Sequence, residues 1–161
     1  MSDALATHTF GKGERADGGR FERQTSAFRE WVTADGSSRY PAEAGRYHLY
    51  VSLACPWAHR TVIVRELKGL RDAIGMSIVD PIRDEKGWAF TGAPGTTFDR
   101  VNGWKHLGEG YLASEPNFDA RITVPVLWDT QTGRIVNNES ADIIVMLNSA
   151  FDEFASNPQL D

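Results

Sequence analysis

The sequence predicts an α/β domain behind an irregular N-terminal arm, and three observations carry that expectation. A strand-like segment at 47–53 runs directly into Cys55 and Pro56, then into an apolar-periodic helix and a second short strand, which makes a βαβ unit. Two further strand-like segments, 122–128 and 133–136, are joined by a turn. An apolar-periodic run over 138–154 reads as a closing helix.

Taken in order, residues 1–45 are polar and rich in Gly, Ser, Asp and Arg, with large rings at Phe21, Phe28, Trp31 and Tyr40 but no sustained apolar period. This arm is expected to be mostly irregular. Its aromatic residues suggest that it docks on another surface, and a missing half of a larger protein is the partner expected for it. The domain proper is placed at 46–155.

Its first strand is rich in β-branched and aromatic residues over 47–53. Pro56 suits the first turn of a helix, where a missing N–H costs nothing, and Val62, Ile63 and Leu67 follow at helical spacing. Gly69 is a stop signal for that helix. Residues 76–79 form a short strand expected to lie parallel to the first, and 83–119 read as one long ordered loop. Pro125 interrupts the strand at 122–128, and a proline there normally marks an edge or a bulge.

Composition bounds the function. With 161 residues, 41% of them hydrophobic and 24% charged, the chain can bury a core. A net charge of −5 argues against a nucleic-acid backbone or an anionic membrane as the main partner. No apolar run approaches the roughly 18 residues of a membrane span, and residues 1–19 lack the apolar stretch of a signal peptide, so a cytoplasmic location is expected. A single cysteine forms no internal disulfide and suits a reducing compartment.

The chemistry is expected at that cysteine. A thiol at a helix N-terminus faces unpaired N–H groups and the positive end of the helix dipole, and both favour thiolate over thiol. A lone cysteine is also commonly a small buried apolar residue, but the strand–Cys–Pro–helix setting favours the nucleophile. Where a dithiol enzyme keeps its second cysteine there is Ala58, so any exchange through Cys55 is monothiol and needs an external thiol to release it. His59 follows one turn later, but His48, His59 and His106 lack the paired spacing of a zinc site, and no metal is expected.

The βαβ–ββα order is the minimal thioredoxin-like layout. In that layout a cis bond between Val124 and Pro125 would free the backbone of Val124 to pair with an extended peptide beside the cysteine. At the start of the last helix, Glu139 and Ser140 suit the ammonium and carboxylate of an amino-acid head; in isolation a plain helix cap at Asn138 or Ser140 is the favoured reading, but beside the Cys-Pro site and the Val-Pro strand the ligand reading prevails. By their residue types alone, Trp88 and Trp57 read first as packing and Arg121 as a solvated side chain, ahead of ligand contact.

Four stretches, 52–60 (SLACPWAHR), 84–90 (DEKGWAF), 123–129 (TVPVLWD) and 136–140 (VNNES), resemble the glutathionyl-hydroquinone reductases, the Xi-class, omega-like glutathione transferases. The likeness spans most of 45–161. It implies that Cys55 attacks the sulfur of a glutathionyl-hydroquinone and expels the hydroquinone, after which a second glutathione releases glutathione disulfide. It also implies that Trp88, Arg121, Val124 (through its backbone), Glu139 and Ser140 hold glutathione, the co-substrate.

Members of that family are about twice as long. Residues 156–161 resemble the start of the link to their all-helical C-terminal domain, whose tyrosines are thought to protonate the leaving ring, and that domain is expected to be absent here. An apolar surface left by that domain would favour a homodimer or other association. Two rival functions share the same residues: an omega-like thioltransferase or dehydroascorbate reductase, and a non-catalytic glutathione-binding remnant. Mycothiol is a rival to glutathione as the thiol.

Overall fold

The computed structural model describes residues 25–160. Their order is β1 (Val32–Thr33), β2 (Tyr40–Pro41), β3 (Tyr47–Val51), α1 (Pro56–Leu67), β4 (Gly75–Ile78), α2 (Gly108–Ser114), β5 (Val126–Asp129), β6 (Arg134–Asn137) and α3 (Ser140–Ser149), then a 3-10 turn at Asp152–Phe154. The four longer strands form one sheet in the order β4-β3-β5-β6. β3 and β4 are parallel across α1, whereas β5 is antiparallel to β3 and β6 to β5. This is the thioredoxin-like arrangement.

The sheet is buried on both faces, which is why β3 and β5 read as nearly continuous apolar runs rather than alternating ones. Residues two apart on β3 share a face, so Tyr47 and Tyr50 point to opposite sides. Tyr47 meets Phe151 edge-on beyond α3, while Tyr50 meets Phe90 and Trp104 in the 80–107 segment. Trp104 in turn stands edge-on to Trp128, with ring centroids 4.7 Å apart. Burial pushes the His48 imidazole down to about 4, so it stays neutral and shares a 2.7 Å hydrogen bond with the Ser77 hydroxyl.

The arm differs from expectation. Phe21 lies outside the described residues, but Phe28, Val32 and Tyr40 are buried in the core of the domain itself. Phe28 stands edge-on to Tyr111, and the backbone around it runs antiparallel beside β6, with Glu30 N donating to Val136 O and Asn138 N donating to Phe28 O. Arg29 clasps Asp142 of α3 through Nε (2.5 Å) and Nη2 (3.0 Å). Phe28 and Tyr40 therefore join this chain's own core, and the backbone at 28–30 covers the open edge of β6.

Inside the long loop, α2 is a second departure. Gly108 and Gly110 argue against a helix in the sequence, since glycine costs about 1 kcal/mol there. Here glycine is required by packing: a Cβ on Gly110 would lie 2.6 Å from the Trp104 ring. The Pro-containing strand also begins later than expected, at Val126, and the closing helix ends at Ser149, with the 3-10 turn as a separate element.

Residues 156–158 lie against the end of α1. Asn157 Nδ2 donates to Leu67 O, and the buried Lys68 ammonium donates to Pro158 O and pairs with Asp152, both at 2.8 Å. Among the described residues no helix is long and apolar enough to cross a membrane.

Candidate active site

The chain leaves β3 in a tight turn that delivers Cys55 to the start of α1. Cys55 N donates to Ser52 O at 3.2 Å, and Ala54 N donates to the Ser52 hydroxyl at 3.3 Å. Cys55 is the N-cap of α1, with φ −101° and ψ 114°, and its side chain caps no helix N–H. The sulfur is thus half-buried at the positive end of a 12-residue helix, with Pro56 in the first turn. His59 contributes its backbone, donating to Cys55 O at 2.9 Å, and its exposed ring does not line the cleft described next.

A cleft of about 260 Å³ opens beside the sulfur, lined by Cys55, Trp57, Trp88, Arg121, Ile122, Thr123 and Val124. Four of the six expected site residues, Cys55, Trp88, Arg121 and Val124, therefore meet in one place. The bond between Val124 and Pro125 is cis, and Cys55 Sγ lies 4.0 Å from Val124 O. Arg121 supplies a cationic wall.

Trp88 is presented by the 84–107 segment. Asp84 and Gly87 exchange backbone hydrogen bonds of 3.0 Å, Leu107 N donates to Trp88 O, and the Asp84 carboxylate meets His106 Nε2 at 2.7 Å. Burial alone would raise the Asp84 carboxyl, but hydrogen bonds from His106 and the loop backbone outweigh it and hold it below the usual range. The Arg83 guanidinium lies over the Trp88 ring, 5.2 Å from its centroid.

Glu139 and Ser140 stand at the N-terminus of α3, outside the lining of that cleft. Glu139 is the N-cap residue, with Oε1 accepting from Ala141 N and Oε2 accepting from the Ser26 hydroxyl at 2.8 Å. The cap is therefore Glu139 rather than Asn138 or Ser140. α1 and α3 pack on each other, and Arg60 of α1 donates to the Ser140 hydroxyl, tying this helix start to the one that carries Cys55.

The buried Tyr111 hydroxyl joins the two halves of the site from behind. It donates to Thr123 O at 2.7 Å and accepts from Thr123 N and from Asn138 Nδ2. One phenol thus holds the strand before Val124 to the residue before Glu139. Burial pushes its pKa up, so it remains a neutral donor. Tyr111→Phe leaves the buried Asn138 amide and the half-buried Thr123 backbone without that partner, and the expected result is a loss of about 1–3 kcal/mol of stability. Urea unfolding followed by tryptophan fluorescence checks this, and an unchanged midpoint would contradict it.

Arg60, Tyr111, Thr123 and Ser26 escape sequence reasoning, because each acquires its role only through contacts distant in the chain. Arg60 and Thr123 do stand inside two of the four stretches that carry the family resemblance, and that was the available signal. Among the described residues no group of three or more His, Cys, Asp or Glu side chains is placed to hold a metal ion.

Comparison with known proteins adds to this geometry. Residues 54–150 match the family described as glutathione S-transferase, N-terminal domain. The glutathionyl-hydroquinone reductase of Escherichia coli K12 is 51% identical over 145 residues, covering 86% of this chain and 44% of that protein. A Xi-class glutathione transferase from Natrialba magadii superposes with a TM-score of 0.80 at 55% identity, covering 84% of this chain and 43% of that one. The glutathione-bound structure of the transferase homologue from Escherichia coli K-12 superposes with a TM-score of 0.76 at 50% identity, covering 80% and 45%. The chain spans less than half the length of these relatives.

Proposed function

The chain belongs to the glutathione S-transferase family through its N-terminal domain, and from that premise we propose that it carries out glutathione-dependent reduction of glutathionyl-hydroquinones. The observation that carries this reading is the placement of Cys55, at a helix N-terminus and facing a cleft walled by Trp88, Arg121 and Val124. In the proposed reaction the Cys55 thiolate attacks the glutathionyl sulfur. The bond from sulfur to the ring carbon breaks, a disulfide forms, and the ring carbon keeps the electron pair and takes up a proton. A second glutathione thiolate attacks the mixed disulfide, so glutathione disulfide leaves and the Cys55 thiolate returns. The ring is reduced by two electrons, and two glutathione sulfurs are oxidised.

Glutathione is proposed to lie with its cysteine backbone along Val124, whose N–H and C=O suit an extended peptide. Its γ-glutamyl head is directed to Glu139 and Ser140, where a carboxylate accepts from the ammonium and the helix start favours the carboxylate. Trp88 and Arg121 are assigned the rest of the tripeptide.

The glutathione-binding domain is assigned to 46–155, with the docked stretch that carries Phe28, Val32 and Tyr40 joined to its core, and 156–161 as the start of a linker. Trp57, Ile63 and Leu67 on α1 and Val145 on α3 are exposed apolar residues, and association with a second copy or a helical partner is assigned to them. A cytoplasmic location suits the free thiol.

The specificity is tested by turnover of the full chain with a glutathionyl-hydroquinone, a small glutathione mixed disulfide and dehydroascorbate, each with reduced glutathione. The hydroquinone conjugate is expected to give a kcat/KM at least about tenfold above the other two. The reverse order would assign the chain to the thioltransferases, and binding of glutathione without turnover of any would leave a binding module.

A further inference from the structure

A second cleft, of about 610 Å³, opens between the β4 side of the sheet and the loop at 92–100, and it shares no residue with the cleft beside Cys55. Its wall includes His48 of β3, Gly75 and Ser77 of β4, and Thr97, Phe98 and Arg100 of the loop. The loop is fastened on two sides. Thr97 N donates to Ile78 O and the Thr97 hydroxyl accepts from Ile78 N, both at 2.9 Å. The buried Asp99 carboxylate accepts from the Tyr50 hydroxyl and from the N–H groups of Val101, Asn102 and Trp104, and it does not line the cleft. Phe98 and Arg100, on either side of Asp99, are exposed at the rim. The Phe98 ring stays 62% exposed even though it packs on Gly92, where a Cβ would lie 2.5 Å from it.

The sheet side of the cleft presents a hydrogen-bond donor. His48 is neutral, so its ring carries one N–H and one lone pair. Ser77 is buried, and among the described residues its hydroxyl meets His48 Nε2 and no other partner. If Ser77 accepted from Nε2, its own hydrogen would be buried without an acceptor; it therefore donates to Nε2, and the ring proton resides on Nδ1. Nδ1 faces Gly75, where a Cβ would lie only 2.6 Å away. Glycine weakens a strand, and here it keeps the space before that N–H open. Arg100 adds a cation, and no Asp or Glu lines the cleft. A carboxylate complements these groups because it only accepts, and the exposed Phe98 ring suits a flat apolar body attached to it.

We propose that this cleft is a second binding site, for a small aromatic carboxylate held by His48 Nδ1 and Arg100 with its ring against Phe98. The site is independent of the proposed reaction, since it uses none of the residues around Cys55.

The test is calorimetry of the full chain with benzoate, set against acetate, which lacks the ring, and benzyl alcohol, which lacks the carboxylate. Benzoate is expected to bind with a Kd of about 1 mM or below, and each control at least about tenfold more weakly. Arg100→Gln and Phe98→Ser, both at exposed positions, are each expected to weaken benzoate about tenfold with little change in melting temperature. Cys55→Ser, in the other cleft, should leave its affinity within about twofold. Three results would overturn the inference: no benzoate binding at 10 mM, on the order of ten times the expected Kd; binding that neither rim substitution weakens; or binding lost in Cys55→Ser, which would place the ligand beside the thiol. Failure of glutathione turnover would overturn the proposed function and leave this site standing.

Discussion

Cys55→Ser is expected to abolish turnover, lowering the rate in a glutathione-coupled assay by about three orders of magnitude or more while leaving the fold intact. The size of the effect follows from the chemistry. Only a sulfur at this position can form the mixed disulfide that a second thiol then reduces, and a serine hydroxyl can neither ionise at neutral pH nor be resolved by thiol exchange. The fold should tolerate the change, because the Cys55 side chain caps no helix N–H and is half-buried. Serine is a good N-cap residue, so the variant should be as stable as the parent or slightly more so. Full activity in a folded serine variant would remove Cys55 from the mechanism.

Asp129→Ala is expected to have the largest effect on stability, about 3–5 kcal/mol, because it leaves a buried guanidinium without its counter-charge. Asp129 is fully buried and Arg46 nearly so. The carboxylate accepts from Arg46 Nε at 2.8 Å and Nη2 at 2.9 Å, and also from Gln131 N, Thr132 N and the Thr132 hydroxyl. It therefore closes the hairpin between β5 and β6 and joins it to the strand that leads to Cys55. Replacing both partners together, with Arg46→Met and Asp129→Leu, should cost less than Asp129→Ala alone.

The same pair sets a dependence on pH. Burial by itself would raise the Asp129 carboxyl, but the hydrogen bonds from Arg46, Thr132 and Gln131 prevail and hold it below the usual carboxylate range. A carboxyl whose pKa is depressed by folding contributes stability that is fully present above its unfolded value, near 4, and is lost as pH falls through the folded value. Urea unfolding at pH 7 and at successively lower pH should show the parent losing stability in acid. Asp129→Ala should lose less over that range, and parallel curves for the two proteins would contradict the role given to the pair.

Much of this arrangement is legible in the sequence where the signal is local. Cys55, Pro56 and Gly69 frame α1 because the start and stop of a helix are decided within a few residues. Val124 before Pro125 is legible for the same reason. What is not legible depends on distant contacts. The rings of Phe28 and Tyr40 announce that the arm docks somewhere, but nothing local says that the surface is the chain's own core. The glycines of α2 argue against a helix until the Trp104 ring is seen against Gly110. Arg60 meets Ser140 across 80 positions and Tyr111 meets Asn138 across 27, so neither contact leaves a trace in spacing.

The measurement that bears most directly on the proposed function is the intact mass of the full chain after brief exposure to a glutathionyl-hydroquinone, followed by a chase with reduced glutathione. The expected result is one glutathione added, located on Cys55 by peptide mapping, with hydroquinone released in equal amount and the adduct removed by the chase. A folded chain that releases no hydroquinone and gains no glutathione would contradict the assignment of Cys55 as the nucleophile.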